Sequence, residues 1–349
     1  MEKKELTEIL FMLTTQNGVS GDEFCAARTA ASLLKKYTPD VTVDDFGNVI
    51  ANIGKREEGK PHIMLDAHID EIGFIVTYIS DEGFLKVSNC GGIDRRLLLA
   101  QQVEVLCSSG ERVFGVITST PPHLESDDKK APKLEDIYID TGMSKKKAEE
   151  LISLGDRVII SSDPCELLGD RVTSKCLDDR AGVLTLIQTL DLLKDELNSL
   201  NCSLSVVFSS QEETGERGAK TAAYKVNPDM AIAVDVSFAR VFGESNDTCG
   251  EMEKGPMIGV SSSLTKAMSN RLIEIAKSEG IPYQIEVMGG TTGTNADAIG
   301  VTRSGVKTVT VSIPLKYMHT PVEVISLSDV TNSARLIAEF LRNGVEADA

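Results

Sequence analysis

Residues Leu204 to Phe208 form an apolar run that leads into Gln211-Glu212-Glu213-Thr214-Gly215. A short apolar run followed by a glycine and a helical pattern reads as a buried strand entering a helix. Both carboxylates then stand at the carboxyl end of that strand, where open α/β sheets hold their ligands. Successive side chains on extended backbone point different ways. One acid can therefore hold a metal ion while the other handles a proton. An isolated Glu-Glu pair is more often a solvated turn, so the assignment depends on what else reaches the same edge.

The rest of the chain returns to that edge repeatedly. His62 to Ala67 reads as a strand ending in His68-Ile69-Asp70, and Ala231 to Val234 as one ending at Asp235. Val306 to Ile313 leads to His319, and Asp178 precedes a long helix from Asp179 to Leu197. At the start, Leu6, Ile9, Leu10 and Leu13 have a helical period. Ser20-Gly21-Asp22-Glu23 reads as a capping box opening a second helix, with Ala26, Ala30, Leu33 and Leu34 inward. After Asp70 the texture changes to short β-like runs, Ile72–Ile79, Phe84–Val87, Val103–Cys107 and Val113–Thr118. They read as a small all-β unit inserted into an α/β frame. The polar stretch Pro121 to Lys133, with its run of charges, is expected to be an exposed loop.

Composition narrows the classes of function. The net charge of −17 repels phosphate backbones and anionic membranes, and no tryptophan is available as a base-stacking platform. Neither nucleic acid nor membrane is expected as a partner. Seven cysteines, widely spaced and without a Cys-x-x-Cys, point to free thiols in a reducing compartment. No signal-like apolar core or membrane-length run occurs, so a soluble cytoplasmic protein is expected.

Imidazole and carboxylate, without thiolate, suit zinc and similar ions. His68, Asp178, Glu213, Asp235 and His319 supply enough donors for two ions with one bridging carboxylate. Glu212 is then the spare acid and the candidate base. Each residue also has an ordinary reading. His68 fits a satisfied core histidine, Asp178 a helix cap, Asp235 a turn residue and His319 a loop residue. His62 and His123 are given only such ordinary roles. The case for metal rests on the shared strand-end position of all five.

Four stretches carry a resemblance: Asp66-Ala67-His68-Ile69-Asp70-Glu71-Ile72-Gly73-Phe74, Leu177-Asp178-Asp179-Arg180-Ala181-Gly182, Gln211-Glu212-Glu213-Thr214-Gly215-Glu216-Arg217-Gly218-Ala219 and Tyr317-Met318-His319-Thr320-Pro321-Val322-Glu323. In this order, across nearly the whole chain, they resemble the M42 family of metallo-aminopeptidases. The resemblance implies an α/β/α sandwich of the metallo-exopeptidase type, made of residues 1–70 and 165–349. It implies an inserted β-rich, PDZ-like dimerisation domain at 71–164, in dimers that can build a tetrahedral dodecamer. His68 and Asp235 would hold one divalent ion and Glu213 and His319 another, zinc first and cobalt or manganese next. Asp178 would bridge the ions, Asp70 would orient His68, and Glu212 would be the general base. Substrates would be short peptides with a free N-terminus. The chain departs from the family at Thr214, Glu216, Lys316 and Asn295, changes expected near a substrate side chain. A metal-independent glycosidase using Glu212 and Glu213 is the rival enzyme, but it leaves the histidines unexplained. A non-catalytic peptide-binding scaffold is the other alternative.

Overall fold

A computed structural model describes residues 1–119, 131–244 and 249–343. Most of the expected 121–133 loop, with His123, lies outside the described residues. The chain opens with α1 (Lys3–Thr14), α2 (Phe24–Leu34), β1 (Val41–Val43), β2 (Val49–Ile53) and β3 (His62–His68). Then come β4 (Gly73–Ile79), β5 (Leu85–Cys90), β6 (Gln102–Leu106), β7 (Arg112–Ile117), β8 (Tyr138–Asp140), α3 (Lys145–Leu151) and β9 (Arg157–Ile160). The α/β rhythm returns with β10 (Cys165–Glu166), β11 (Arg171–Ser174), α4 (Leu177–Leu193), β12 (Ser203–Ser209), α5 (Arg217–Val226) and β13 (Met230–Phe238). The last elements are β14 (Met257–Ser261), α6 (Lys266–Ser278), β15 (Gln284–Met288), α7 (Asn295–Gly300), β16 (Lys307–Leu315), β17 (Glu323–Ser326) and α8 (Leu327–Arg342).

The main sheet has eight strands in the order β1-β2-β12-β3-β13-β16-β14-β15. Its four middle strands, β12, β3, β13 and β16, run parallel, so their carboxyl ends line one edge. Every residue of β3 and β12 is buried, as parallel strands covered on both faces require. Ile63, Leu65 and Ala67 pack with residues of α1, α2, α4 and α8 on one face. Met64 and Val207 meet Ala219, Ala222 and Ala223 of α5 on the other. His68 and Asp66 share the parity of Met64 and belong to that second face. Helix α4 is buried almost all round, because strands cover one side and α1 and α8 the other. That explains why its sequence has so little polar face.

The inserted strands close into a separate barrel, β4-β5-β8-β7-β6-β9. Its own core includes Phe74, Val76, Leu85, Val103, Val105, Ile139 and Val158. β7 alternates: Val113, Gly115 and Ile117 face in, and Arg112, Phe114 and Val116 face out. Gly115 packs so closely that a Cβ there would come within 2.7 Å of Ile139. A third small sheet, β10-β11-β17, pairs Ser174 with Glu323.

Two expectations are corrected, and one strand is added. The capping box does not form: α2 has no side-chain cap, Ser20 bonds Thr214, and Glu23 reaches Gly21 and Gln211. Tertiary partners outcompete the local cap there. Strand β13 does not end at Asp235 but continues to Phe238, because its ladder with β16 runs on to Leu315. Finally, β14 was not anticipated from its sequence, where Gly259 interrupts an already short apolar run.

Candidate metal centre

The fold brings all the expected residues to one place. His68 is the last residue of β3, and Asp235 lies inside β13. Glu212 and Glu213 occupy the turn after β12, Asp178 opens α4, and His319 sits between β16 and β17. His68 Nε2 is 2.9 Å from Asp178 Oδ1 and 4.0 Å from Asp235 Oδ1. His319 Nε2 is 3.3 Å from Asp178 Oδ2 and 3.3 Å from Glu213 Oε1. Asp178 thus turns one oxygen to each imidazole. Its peptide bond to Asp179 is cis.

Buried carboxylates hold the backbone beneath these groups. Asp70 accepts from the amides of Glu212 and Glu213 at 2.9 and 3.1 Å. His68 Nδ1 lies 3.2 Å from the Asp70 carbonyl oxygen and 3.5 Å from its carboxylate, so both parts of Asp70 orient the ring. Glu23 accepts from the amides of Gly21 and Gln211 at 2.6 and 3.2 Å. Glu323 accepts from the amides of Asp178 and His319 at 3.1 and 2.9 Å. Gln211 and His319 both have left-handed backbone, φ 53° and 59°. Such a conformation costs of order 1–3 kcal/mol and persists where its surroundings dictate it. Neither role is visible in the sequence, where Glu23 reads as part of a capping box and Glu323 as the end of a motif. A carboxylate that accepts main-chain amides leaves no spacing signal, although Glu323 stands only four residues beyond His319.

The electrostatics are those of a site built for cations. Burial first, then Asp235, Glu213 and Asp178, push Glu212 up to about 9. Burial and the neighbouring Asp179 raise Asp235 well above the carboxylate range, and burial raises Glu213. Burial disfavours the His319 imidazolium, but hydrogen bonds to Asp178 and Glu213 win and lift it to about 11. His68 rises for the same reason, through Asp178 and Asp70. Among the described residues no lysine or arginine pairs with Asp178, Glu212, Glu213 or Asp235.

Crowded acids of this kind either take up protons or bind cations. The donors fall into overlapping groups whose atoms lie within 4.8 Å: His68, Asp178 and Asp235; Asp178, Glu213 and His319; and His68, Glu212 and Glu213. The first two share Asp178. Nitrogen and carboxylate donors in this arrangement fit divalent ions of the zinc type.

The departures lie in different surroundings. Asn295 is buried beneath the site and donates to Asp66 Oδ2 at 2.7 Å and to Ser209 at 2.8 Å. It therefore packs against the strand residue two before His68, inside the fold. Burial raises Asp66 to about 7. An aspartate at 295 would set two carboxylates against each other there. Thr214 bonds Ser20 at 2.8 Å. Glu216 is left-handed, φ 55°, and its carboxyl is raised by burial and by Asp297. His62 has an ordinary role between the hydroxyls of Ser203 and Ser205, at 2.7 and 3.0 Å.

The pattern of one peptidase family, M42 glutamyl aminopeptidase, matches residues 47–336. An aminopeptidase from the archaeon Desulfurococcus kamchatkensis superposes with a TM-score of 0.91 at 35% identity, covering 98% of this chain and 96% of its own. The TET1 peptidase of Pyrococcus horikoshii, which can assemble into a tetrahedron or a large octahedral shell, gives 0.85 at 35% identity, over 96% and 99%. A lysyl aminopeptidase of Pyrococcus furiosus is 32% identical over 340 residues, 96% of each chain. With its fold, its cluster of donors and its sequence pattern in agreement over most of its length, this chain belongs to the M42 family of peptidases.

Proposed function

We propose that the protein is a two-ion aminopeptidase that removes the N-terminal residue from short peptides. The observation that carries this reading is Asp178, whose two oxygens face two separate donor groups. His68 and Asp235 would hold one ion and Glu213 and His319 the other, with Asp178 between them. Zinc suits these donors first, with cobalt and manganese next. When bound, the ions polarise the scissile carbonyl and acidify the attacking water. Glu212, the acid left over, takes that water's proton and returns it to the leaving amine. Neighbouring cations would draw Glu212 down from about 9 toward the range where it accepts a proton at neutral pH. Asp70 keeps Glu212, Glu213 and His68 in register.

In this reading residues 1–70 and 165–349 are the catalytic domain, and 71–164 are a PDZ-like unit through which two copies pair. Outward-facing Phe114 and Val116 support that role for the barrel. The likeness to the Pyrococcus horikoshii peptidase supports further assembly of dimers into a closed shell. Among the described residues no helix is long and apolar enough to cross a membrane, which is in keeping with a cytoplasmic enzyme.

The test is a panel of aminoacyl anilides, free and N-acetylated, run on chelated and metal-restored protein with its mass in solution measured alongside. Chelation should abolish hydrolysis, and zinc, cobalt or manganese should restore it for free amino substrates alone. Turnover that survives chelation, or cleavage of N-acetylated substrates, would contradict the reading.

A further inference from the structure

The loops that carry Asp178 and His319 come from distant parts of the chain, yet one carboxylate holds both. Glu323 opens β17, which pairs with β11 through Ser174 and Glu323. Strand β11 runs through Lys175 and Cys176, the latter left-handed at φ 48°, into Asp178. The His319 loop runs through Tyr317, also left-handed at φ 62°, and returns to β17. The carboxylate sits between these two turns, 2% exposed. Oε2 accepts the Asp178 amide at 3.1 Å and Oε1 the His319 amide at 2.9 Å. No other side chain of the described residues accepts from either amide. Asp70 serves Glu212 and Glu213 in the same two-pronged way, but both of those lie on a single turn.

We infer that Glu323 is a positioning residue that sets the second ion site, by fixing His319 against the bridging carboxylate of Asp178. It touches neither ion nor substrate. His68 and Asp235 are held by the ladders of β3 with β12 and of β13 with β16 instead, so the first site depends on Glu323 only through the Asp178 that both sites share. Residues that orient metal ligands typically change affinity by roughly 10- to 100-fold when altered. The consequence is an asymmetry. Loss of Glu323 weakens the Glu213–His319 site, where it holds both Asp178 and His319, more than the His68–Asp235 site, where it holds Asp178 alone. This inference rests on the two-ion reading above.

Glu323→Gln tests it, because an amide keeps one acceptor but turns a donor toward the second backbone N–H. Zinc is titrated into metal-free parent and variant by calorimetry, and thermal melting of both metal-free proteins is followed. The expected result is two ions in the parent. In the variant one ion should weaken roughly 10- to 100-fold and the other markedly less. Activity of the variant should return as zinc is raised. Two ions bound by Glu323→Gln as by the parent would overturn the inference, as would equal weakening of both sites. If the glutamine variant does not fold, Glu323→Asp, one methylene too short to reach both amides, should show the same asymmetry. A parent that binds fewer than two ions would overturn the two-ion reading itself, and this inference with it.

Discussion

In the barrel, Glu104 pairs with Arg112 at 3.1 Å and Asp81 with Lys145 at 2.6 Å, each pair partly open to solvent. At the carboxyl edge of the main sheet, Asp178 and Asp235 are buried and Glu212 and Glu213 nearly so, and no lysine or arginine of the described residues pairs with them. Surface pairs of the first kind contribute little, because water and salt screen them. Buried acids of the second kind, which outnumber the two imidazoles set among them, oppose folding unless protons or cations neutralise them. The barrel's charges therefore face water, and the sheet edge gathers acids whose crowding a bound cation would relieve. Acid substitutions in the two regions should consequently fail in different ways: activity and metal affinity at the edge, and very little in the barrel.

The largest expected effect belongs to Glu212. Glu212→Gln should lower kcat by about 10²- to 10⁴-fold while metal content stays at the parent level. A variant that keeps its metal and full turnover would remove Glu212 from the chemistry. Next is the buried contact of Asn295 with Asp66. Asn295→Asp places a carboxylate against Asp66 and should destabilise the chain by about 1–3 kcal/mol. The loss should grow above pH 7, where burial no longer keeps Asp66 protonated. Adding Asp66→Asn should recover most of it in chemical denaturation. If the double variant is no better than Asn295→Asp alone, the two side chains are not coupled as their 2.7 Å contact implies.

A smaller effect attaches to Glu23, whose carboxyl is raised to about 7 by burial and then by Asp70. A folded-state value above the ordinary 4.5 favours folding most fully below pH 4.5, and that benefit is lost as the pH rises through 7. Glu23→Gln cannot ionise, so its stability relative to the parent should improve between pH 5 and 8, by at most about 3 kcal/mol. Parallel melting profiles over that range would show that Glu23 ionises at the same pH in the folded and unfolded chain, so that burial does not raise it. The smallest effect is predicted for the barrel. Arg112→Ala should change stability by less than about 0.5 kcal/mol and leave kcat untouched. A larger loss there would break the contrast between the two regions.

How much of this was legible in the sequence follows the same division. His68, Asp178, Glu213, Asp235 and His319 stand where apolar runs end or helices begin, and that register is visible without coordinates. So was the switch to short β-runs after Asp70, which the barrel realises. Glu23 was read as half of a capping box and Glu323 only as the end of a motif, yet both hold main-chain amides across the fold. Such roles depend on which loops meet, which local periodicity does not record. The position of Asn295 was likewise out of reach. Its partner Asp66 is 229 residues away, and only the assembled main sheet brings them together. Strand β14 escaped because a glycine and a short span weaken the β pattern, while pairing with β15 and β16 makes it a strand.

The central claim is that the buried acids exist to hold two ions and leave Glu212 free. The most direct measurement is anomalous diffraction from zinc-loaded crystals, collected on both sides of the zinc edge. The account predicts two peaks, one among His68, Asp178 and Asp235 and one among Asp178, Glu213 and His319, with Glu212 ligating neither. A single peak, or one held by His68, Glu212 and Glu213 together, would contradict it.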